Sequence, residues 1–313
     1  MTRFFIGLAT ATALGSTACA QQAAEEAVPA PEVAAAASAP VDAPNFGAPT
    51  FEAPDEAWRE VPAENLLRVQ TPYGPVVVEL YPEIAPQHVE RVRTLAGSGF
   101  YDGLTFHRVI DGFMNQTGDP TGTGTGDSGL PDLPGEFTFR RGTDMPVAMM
   151  GAMRTPAGEM ATGFYKALPV ATQPSSQAIL TKDGKVEAYG LHCGGVTSMA
   201  RANDPNSANS QFFLMRDKSP WLDAQYSIWG STVLGHDALT RIKLTEVDGQ
   251  PVQVEPDAMG EVDLVSDLPE GERFRVEVLD TNSEAFDAFL ESQKRDGAYP
   301  DICEVRVPAR IKS

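Results

Sequence analysis

The chain has 313 residues, of which 42% are hydrophobic and 21% charged, so it has room for one large domain or two small ones and can bury a core. That balance excludes wholesale disorder and a polytopic membrane protein. Lys and Arg number 24 against 43 Asp and Glu, a formal net charge of -19, and an acidic surface of that size repels nucleic acid. The four His and three Cys lie far apart, with no C-x-x-C or H-x-x-x-H spacing, which argues against a metal centre built on several His ligands.

The chain opens with Arg3, an uncharged run from Phe4 to Leu14, and the small residues Ala18-Cys19-Ala20. This is the pattern of a secretory signal over residues 1–20, too short to span a bilayer comfortably. It predicts export to the periplasm. Cys19 offers a lipid anchor, and hence a membrane-tethered lipoprotein, as the alternative. Ser16, standing where a lipoprotein signal usually has Leu, favours simple cleavage after Ala20. In an oxidising compartment Cys193 and Cys303 are free to form a disulfide or to remain two buried thiols. Residues 21–62 read as an Ala/Pro-rich flexible tether, with almost no large apolar residue before Phe46. The folded domain is assigned to residues 63–313.

Within it, Leu67, Val69, then Thr71-Pro72-Tyr73-Gly74, then Val76, Val78 and Leu80 is alternation, turn, alternation: a β-hairpin. Ala85-Pro86 opens a helix over Ala85–Leu95, with Val89, Val92 and Ala96 on one side. Strands are expected at Thr105–Val109, Phe113–Gln116, Val196–Ala200, Gln211–Met215, Ser227–Trp229 and Thr232–Leu234. Many short strands with Gly-rich turns imply a mainly β sandwich or closed barrel. Residues 133–191 show no clean period and read as an irregular insert. The insert holds five of the ten Met residues, which could form an apolar cover for barrel or groove or, less favoured, a Cu(I) site. Residues 245–300 form an acidic α+β elaboration. In it Ser283 caps a helix with Phe286, Phe289 and Leu290 as its buried stripe and Gly297 as its stop. A last strand at Cys303–Val307 is expected to rejoin the sheet.

The glycine run from Gly118 to Gly126 lacks the Lys of a phosphate loop, and Asp127 stands where a dinucleotide fingerprint needs Gly. It reads as a tight, ordered loop. No G-x-S-x-G occurs, which removes the nucleophile elbow of a hydrolase.

Chemistry concentrates in three segments: Phe106-His107-Arg108-Val109-Ile110-Asp111-Gly112-Phe113-Met114-Asn115-Gln116 running on to Asp119-Pro120; Ser198-Met199-Ala200-Arg201 running on to Ser210-Gln211-Phe212-Phe213; and Trp221-Leu222-Asp223 with Tyr226. On a strand, Gln211 and Phe213 share one face and Phe212 and Leu214 the other, and a Gln beside a Phe suits a groove better than a core. Together the segments resemble the cyclophilin family of peptidyl-prolyl cis/trans isomerases, in the family's order. The resemblance covers roughly residues 66–134 and 191–244. It implies an eight-stranded antiparallel closed β-barrel capped by two α-helices, the second after Gly235 with Leu239 and Ile242.

The implied reaction is rotation about an X-Pro bond, whose amide resonance sets a barrier of roughly 18–20 kcal/mol. No bond breaks, so no nucleophile, metal or cofactor is required. A dry pocket for the ring, hydrogen bonds to the flanking backbone and a cation near the prolyl nitrogen would suffice. By similarity Arg108 is the catalytic arginine. Phe113, Met114, Phe213 and Leu222 form the proline pocket, Gln116 and Gln211 anchor substrate backbone, Ala200 and Arg201 supply the pairing strand edge, and Trp221 and Tyr226 flank the mouth. His107 falls at a position that is usually structural. Asp111, three residues from Arg108, departs from the Pro common in the family; so do Thr117, Asn115 and Arg201 from common forms. The implied partners are proline-containing unfolded or maturing exported polypeptides, with cyclosporin-type inhibitors expected from Trp221. The alternative is a catalytically weak chaperone or binding module that works through the insert and the acidic C-terminal part.

Overall fold

A computed structural model describes residues 51–156 and 158–312. Residues 1–50, on which the expected signal segment, Cys19 and most of the expected tether fall, lie outside the described residues. Among the described residues no helix is long and apolar enough to cross a membrane.

The hairpin forms as its alternation dictates, from Leu66–Thr71 and Gly74–Leu80. Its turn is held by the Thr71 hydroxyl, which donates to the Gly74 carbonyl at 2.6 Å and accepts from the Tyr73 amide at 3.1 Å. Gly74 sits at φ +116°, where any side chain would be strained. One face of the hairpin (Leu67, Val69, Val76, Val78, Leu80) enters a core with Phe106, Phe212 and Trp229. The other face, with Leu66 and Val77, enters a second core, so this hairpin is buried on both sides.

The hairpin belongs to a ten-stranded sheet. Its spatial order is Gln250–Pro251, Glu246–Val247, Arg108–Ile110, Met114–Thr117, Phe212–Met215, Val196–Met199, Ile228–Leu234, Gly74–Leu80, Leu66–Thr71 and Val262–Leu264. All neighbours are antiparallel except Glu246–Val247 beside Arg108–Ile110. Without the short 246–251 hairpin eight strands remain. The two strands expected near Ser227–Leu234 are one, Ile228–Leu234, with a register shift between Thr232 and Leu234. Helix Pro86–Gly97 starts on its Pro and buries Val89, Val92, Leu95 and Ala96. The shorter His236–Arg241 adds Ala238 and Leu239 to the same core, beside Ile242.

Three expectations need correction. The insert is not irregular: it is a five-stranded antiparallel sheet ordered Phe139–Arg141, Val186–Gly190, Leu168–Thr172, Gly158–Tyr165, Ala148–Thr155. Its inner strand Leu168–Thr172 is buried at every residue, which erases the alternation that marks a half-exposed strand. Met145 and Met160 pack in a third core with Leu168, Val170 and the pocket residues Met114, Phe213 and Leu222. Second, residues 55–62 are folded rather than tether. Trp58–Val61 is a strand paired with Arg275–Leu279, and Arg59 forms a two-pronged ion pair with buried Glu79, both contacts at 2.9 Å. Third, Cys303–Val307 is not a strand of the main sheet. Ile302–Glu304 is a single 3₁₀ turn capped by Asp301, and the last strand is Ala309–Lys312. That strand completes a separate three-stranded sheet, Trp58–Val61, Arg275–Leu279, Ala309–Lys312.

The elaboration's helix runs Glu284–Gln293, stopping before Gly297, with Ser283 accepting from the Phe286 amide and Phe286, Phe289 and Leu290 buried. Cys193 and Cys303, with Cα atoms 4.9 Å apart, form a disulfide that ties the C-terminal segment to the turn before Val196–Met199.

Candidate active site

Register places the site. Arg108 lies opposite Gln116, Gln116 opposite Phe213, and Phe213 opposite Ser198, so the four form one row across four adjacent strands. Residues opposite one another share a sheet face. Phe212 and Leu214 point the other way, into the core beneath. The tight link Ile110–Met114, with Gly112 at φ +60°, brings Phe113 over the end of the row.

Above the row lies a pocket of about 140 Å³ lined by Arg108, Phe113, Met114, Gln116, Ala200, Arg201, Phe213, Leu222 and Tyr226. Nine of the eleven residues singled out by resemblance meet there, and the other two adjoin it. Gln211 accepts from Gln116 Nε2 at 2.9 Å and donates to the Gly124 and Gly126 carbonyls at 3.1 and 2.9 Å. Trp221 is 62% exposed and stands 5.8 Å, ring to ring, from Phe113. Met114, Phe213 and Leu222 are buried, so the floor is dry, while Arg108 stands at the edge with its guanidinium 5.9 Å from the Phe113 ring. Arg201 covers the opposite side. It stacks on Tyr226 at 4.5 Å and on Phe137 of the insert at 5.8 Å, and donates to the Gln225 and Ala202 carbonyls.

The glycine run is ordered, as read, and its organiser is Asp119. That carboxylate accepts from the Thr121 amide and hydroxyl at 2.7 and 2.8 Å and from the Thr123 and Gly124 amides at 3.1 and 2.5 Å. Burial alone would raise its pKa, but these hydrogen bonds outweigh it and hold the carboxyl well below the usual range. The loop carbonyls so fixed are the ones that grip Gln211. Beside them, burial pushes His107 below its ordinary pKa against the opposing pull of Asp119.

Asp111 stands in a loop, a position from which the sequence favours an outward orientation. It turns away from Arg108 and meets Arg216 at 3.2 Å, with its side chain 76% exposed. Arg216, nearly buried, also donates to Asn115 Oδ1 and to the Leu239, Thr240 and Ile242 carbonyls. The carboxylate that does face Arg108 is Glu246, at 3.4 Å from its Nε. Nothing in the sequence signalled it, because a two-residue strand far along the chain carries no period. A second group also escaped notice. Behind Phe213, buried His192 bonds Ser198 Oγ through Nε2 and Asp223 Oδ1 through Nδ1, both at 2.9 Å, and its ring lies 6.2 Å from Phe213 and 6.4 Å from Tyr226.

A small, aromatic-walled pocket with two guanidiniums, Arg108 and Arg201, and the Gln116 amide at its edge, set on a sheet whose strands here are antiparallel, has the shape and chemistry to hold an apolar ring and hydrogen-bond a chain around it. Residues 66–263 match the model of the cyclophilin type peptidyl-prolyl cis-trans isomerase family. A probable peptidyl-prolyl cis-trans isomerase of Brucella suis is 34% identical over 194 residues, covering 58% of this chain and 72% of the relative. The isomerase ppi1 of Schizosaccharomyces pombe is 31% identical over 191 residues, covering 61% of this chain and 92% of its own length. The crystal structure of the cyclophilin AquaCyp293 from Hirschia baltica superposes with a TM-score of 0.73 at 37% identity, covering 83% of this chain and 98% of that one. The chain belongs to the cyclophilin-type peptidyl-prolyl cis-trans isomerase family, and its fold is mainly β and cyclophilin-like.

Proposed function

We propose that this protein accelerates rotation about X-Pro bonds in exported polypeptides, with the 140 Å³ pocket as its active site. The observation that carries the reading is that the Arg108 guanidinium stands at the rim of a pocket floored by Met114, Phe213 and Leu222, while the second guanidinium, Arg201, is stacked on Tyr226 and committed to the Gln225 and Ala202 carbonyls. The prolyl ring enters that floor, with Phe113 as its wall. As the amide twists and loses resonance, a lone pair localises on nitrogen, and the Arg108 guanidinium donates toward it. Donation of this kind is stronger in the twisted state than in the planar one, so it lowers the barrier rather than only tightening binding. Gln116, with its amide already donating to Gln211, offers its free carbonyl oxygen to the substrate backbone. The strand edge at Ala200 and Arg201 pairs with the peptide, and Trp221 and Tyr226 cover it. Trp221 at the mouth also supports cyclosporin binding.

Closure of the eight strands into a barrel is part of the same proposal. The segment before Val262–Leu264 bonds in two directions. The Gly260 amide reaches the Gln70 carbonyl at 2.8 Å, while the Met259 amide reaches the Leu104 carbonyl at 2.9 Å and the Phe106 amide the Asp257 carbonyl at 2.8 Å. Residues 257–260 thus lie between the strand Leu66–Thr71 and the chain entering the Arg108 strand. Export is supported by the Cys193–Cys303 disulfide, which persists in oxidising compartments, and by the signal pattern of residues 1–20; a lipid on Cys19 would add a membrane tether. Cis/trans exchange of an Ala-Pro peptide, followed by NMR exchange spectroscopy, tests the activity, and no acceleration by well-folded protein would overturn it.

A further inference from the structure

The 3₁₀ turn Pro220–Leu222 and the residues after it form a wall between two cavities. Leu222 and Tyr226 line the proline pocket. Pro220 and Asp223 line a larger cavity of about 480 Å³ on the other side. His192 joins the two, since it lines the larger cavity and its ring stacks on Phe213 in the pocket. Trp221 stands exposed on the ridge between them.

The far side of this cavity is built from the insert and the C-terminal segment, through Met150–Met153 and Tyr299–Cys303. Four consecutive residues, Met150, Gly151, Ala152 and Met153, line it, whereas a strand facing a cavity would contribute alternate residues. The strand Ala148–Thr155 therefore presents its edge. It is the last strand of its sheet, paired only with Gly158–Tyr165 among the described residues, so its outer edge along Met150–Met153 faces no further strand there. Of the charged residues that line it, Lys218 and Asp301 pair at the lip at 2.8 Å, and Asp223 is turned in against buried His192 at 2.9 Å. An apolar trough with a free strand edge and a neutral lip suits an uncharged, extended peptide with bulky apolar side chains.

We infer that the 480 Å³ cavity is a second substrate subsite, which takes the apolar stretch following the proline whose bond is rotated. This rests on the pocket being the active site. The two cavities lie on opposite sides of one wall, Pro220 to Tyr226, so a chain that leaves the pocket over Trp221 comes to the trough, and that adjacency selects the occupant. Residues on the other flank of the proline run along Ala200 and Arg201 toward a separate cavity of about 450 Å³ beside the glycine loop. The subsite makes the protein select prolines that precede apolar segments, the kind exposed in unfolded chains.

The test compares three peptides in exchange spectroscopy: a short Ala-Pro peptide, one extended after the proline by about five residues carrying Leu side chains, and one extended equally before it. Burial of one Leu side chain in the trough predicts that the downstream extension raises kcat/KM about tenfold through KM, which corresponds to ~1.4 kcal/mol. Ala152→Trp, which fills the trough from an exposed strand position, removes the gain and leaves the short peptide unaffected; Met153→Glu does the same. The downstream peptide also shifts the methyl resonances of Met150 and Met153 in the unaltered protein, and the short one does not. Equal rates for short and downstream-extended peptides, a gain from the upstream extension alone, or a gain that survives in folded variants would overturn the inference while leaving the isomerase reading intact. Failure to accelerate any of the three would count against that reading instead.

Discussion

Replacing Arg59 by Ala tests whether the segment before the hairpin is an integral part of the fold. Arg59 holds both oxygens of Glu79 at 2.9 Å, and the side chains are 23% and 2% exposed. Tyr81, whose hydroxyl is 3.5 Å from the same carboxylate, offers little more. Without Arg59 the carboxylate remains in a nearly dry site with the Tyr81 hydroxyl as one weak donor. Breaking a buried pair by removing one partner costs about 3–5 kcal/mol. Because Arg59 is itself partly open to water, the lower end, about 3 kcal/mol, is the expected loss, or roughly a hundredfold in the unfolding equilibrium. Replacing both partners, Arg59→Met with Glu79→Leu, should return stability to within about 1 kcal/mol of the parent, since an apolar pair of similar volume has no charge to desolvate. Urea unfolding of the parent, the single variants and the double variant measures the coupling. A loss below about 1 kcal/mol for Arg59→Ala would mean that Glu79 finds water and that the strand is only loosely docked.

Three further outcomes follow from particular contacts. Glu246→Gln frees Arg108 from a half-exposed ion pair, so kcat/KM rises by up to about threefold at low ionic strength and the gain fades in high salt; a fall in rate would show that Glu246 positions the guanidinium. Burial, and secondarily the Arg306 charge, pushes His236 down to about 3. Its unfolded value is near 6.5, so the unfolded chain binds the extra proton between those values. This histidine therefore removes stability as pH falls from about 6.5 toward about 3, at up to ~1.4 kcal/mol per pH unit. Unfolding at pH 7 and pH 5 should show a drop about 2 kcal/mol larger in the parent than in His236→Gln, and equal drops would refute it. Reduction of Cys193–Cys303 reopens a loop of 110 residues, which costs about 5 kcal/mol by chain entropy; thermal midpoints with and without reductant should differ by about 10 °C, and coincident midpoints would contradict this.

What the sequence disclosed was set by how local each signal is. The hairpin, the capping helices and the pocket segments were legible because alternation and motif spacing run unbroken over five to fifteen residues. Ser283 and its Phe286, Phe289, Leu290 stripe likewise placed a helix to within a turn. The insert was illegible because strands such as Leu168–Thr172 are buried on both faces and lose their period. Trp58–Val61 was hidden by length: four residues beside a Pro-rich stretch bear no pattern until Arg275–Leu279 supplies a partner. In the site, the apolar floor and Arg108 came from contiguous motifs. Glu246 facing Arg108, and His192 bridging Ser198 and Asp223, are juxtapositions made only by folding. The outward turn of Asp111 followed from its loop position, but its partner Arg216 did not, since no local spacing ties the two.

The central claim is that Arg108 lowers the rotational barrier in a pocket that binds proline without it. The direct measurement is cis/trans exchange of an Ala-Pro peptide with the parent protein, Arg108→Ala and Arg108→Lys, with binding followed separately through the Met114 methyl resonance. Loss of a donor aimed at developing charge predicts a fall in kcat of about 10²–10³-fold for Arg108→Ala, with peptide binding changed far less and only partial recovery in Arg108→Lys. Undiminished turnover in a folded Arg108→Ala protein, or a loss of binding equal to the loss of rate, would contradict the account.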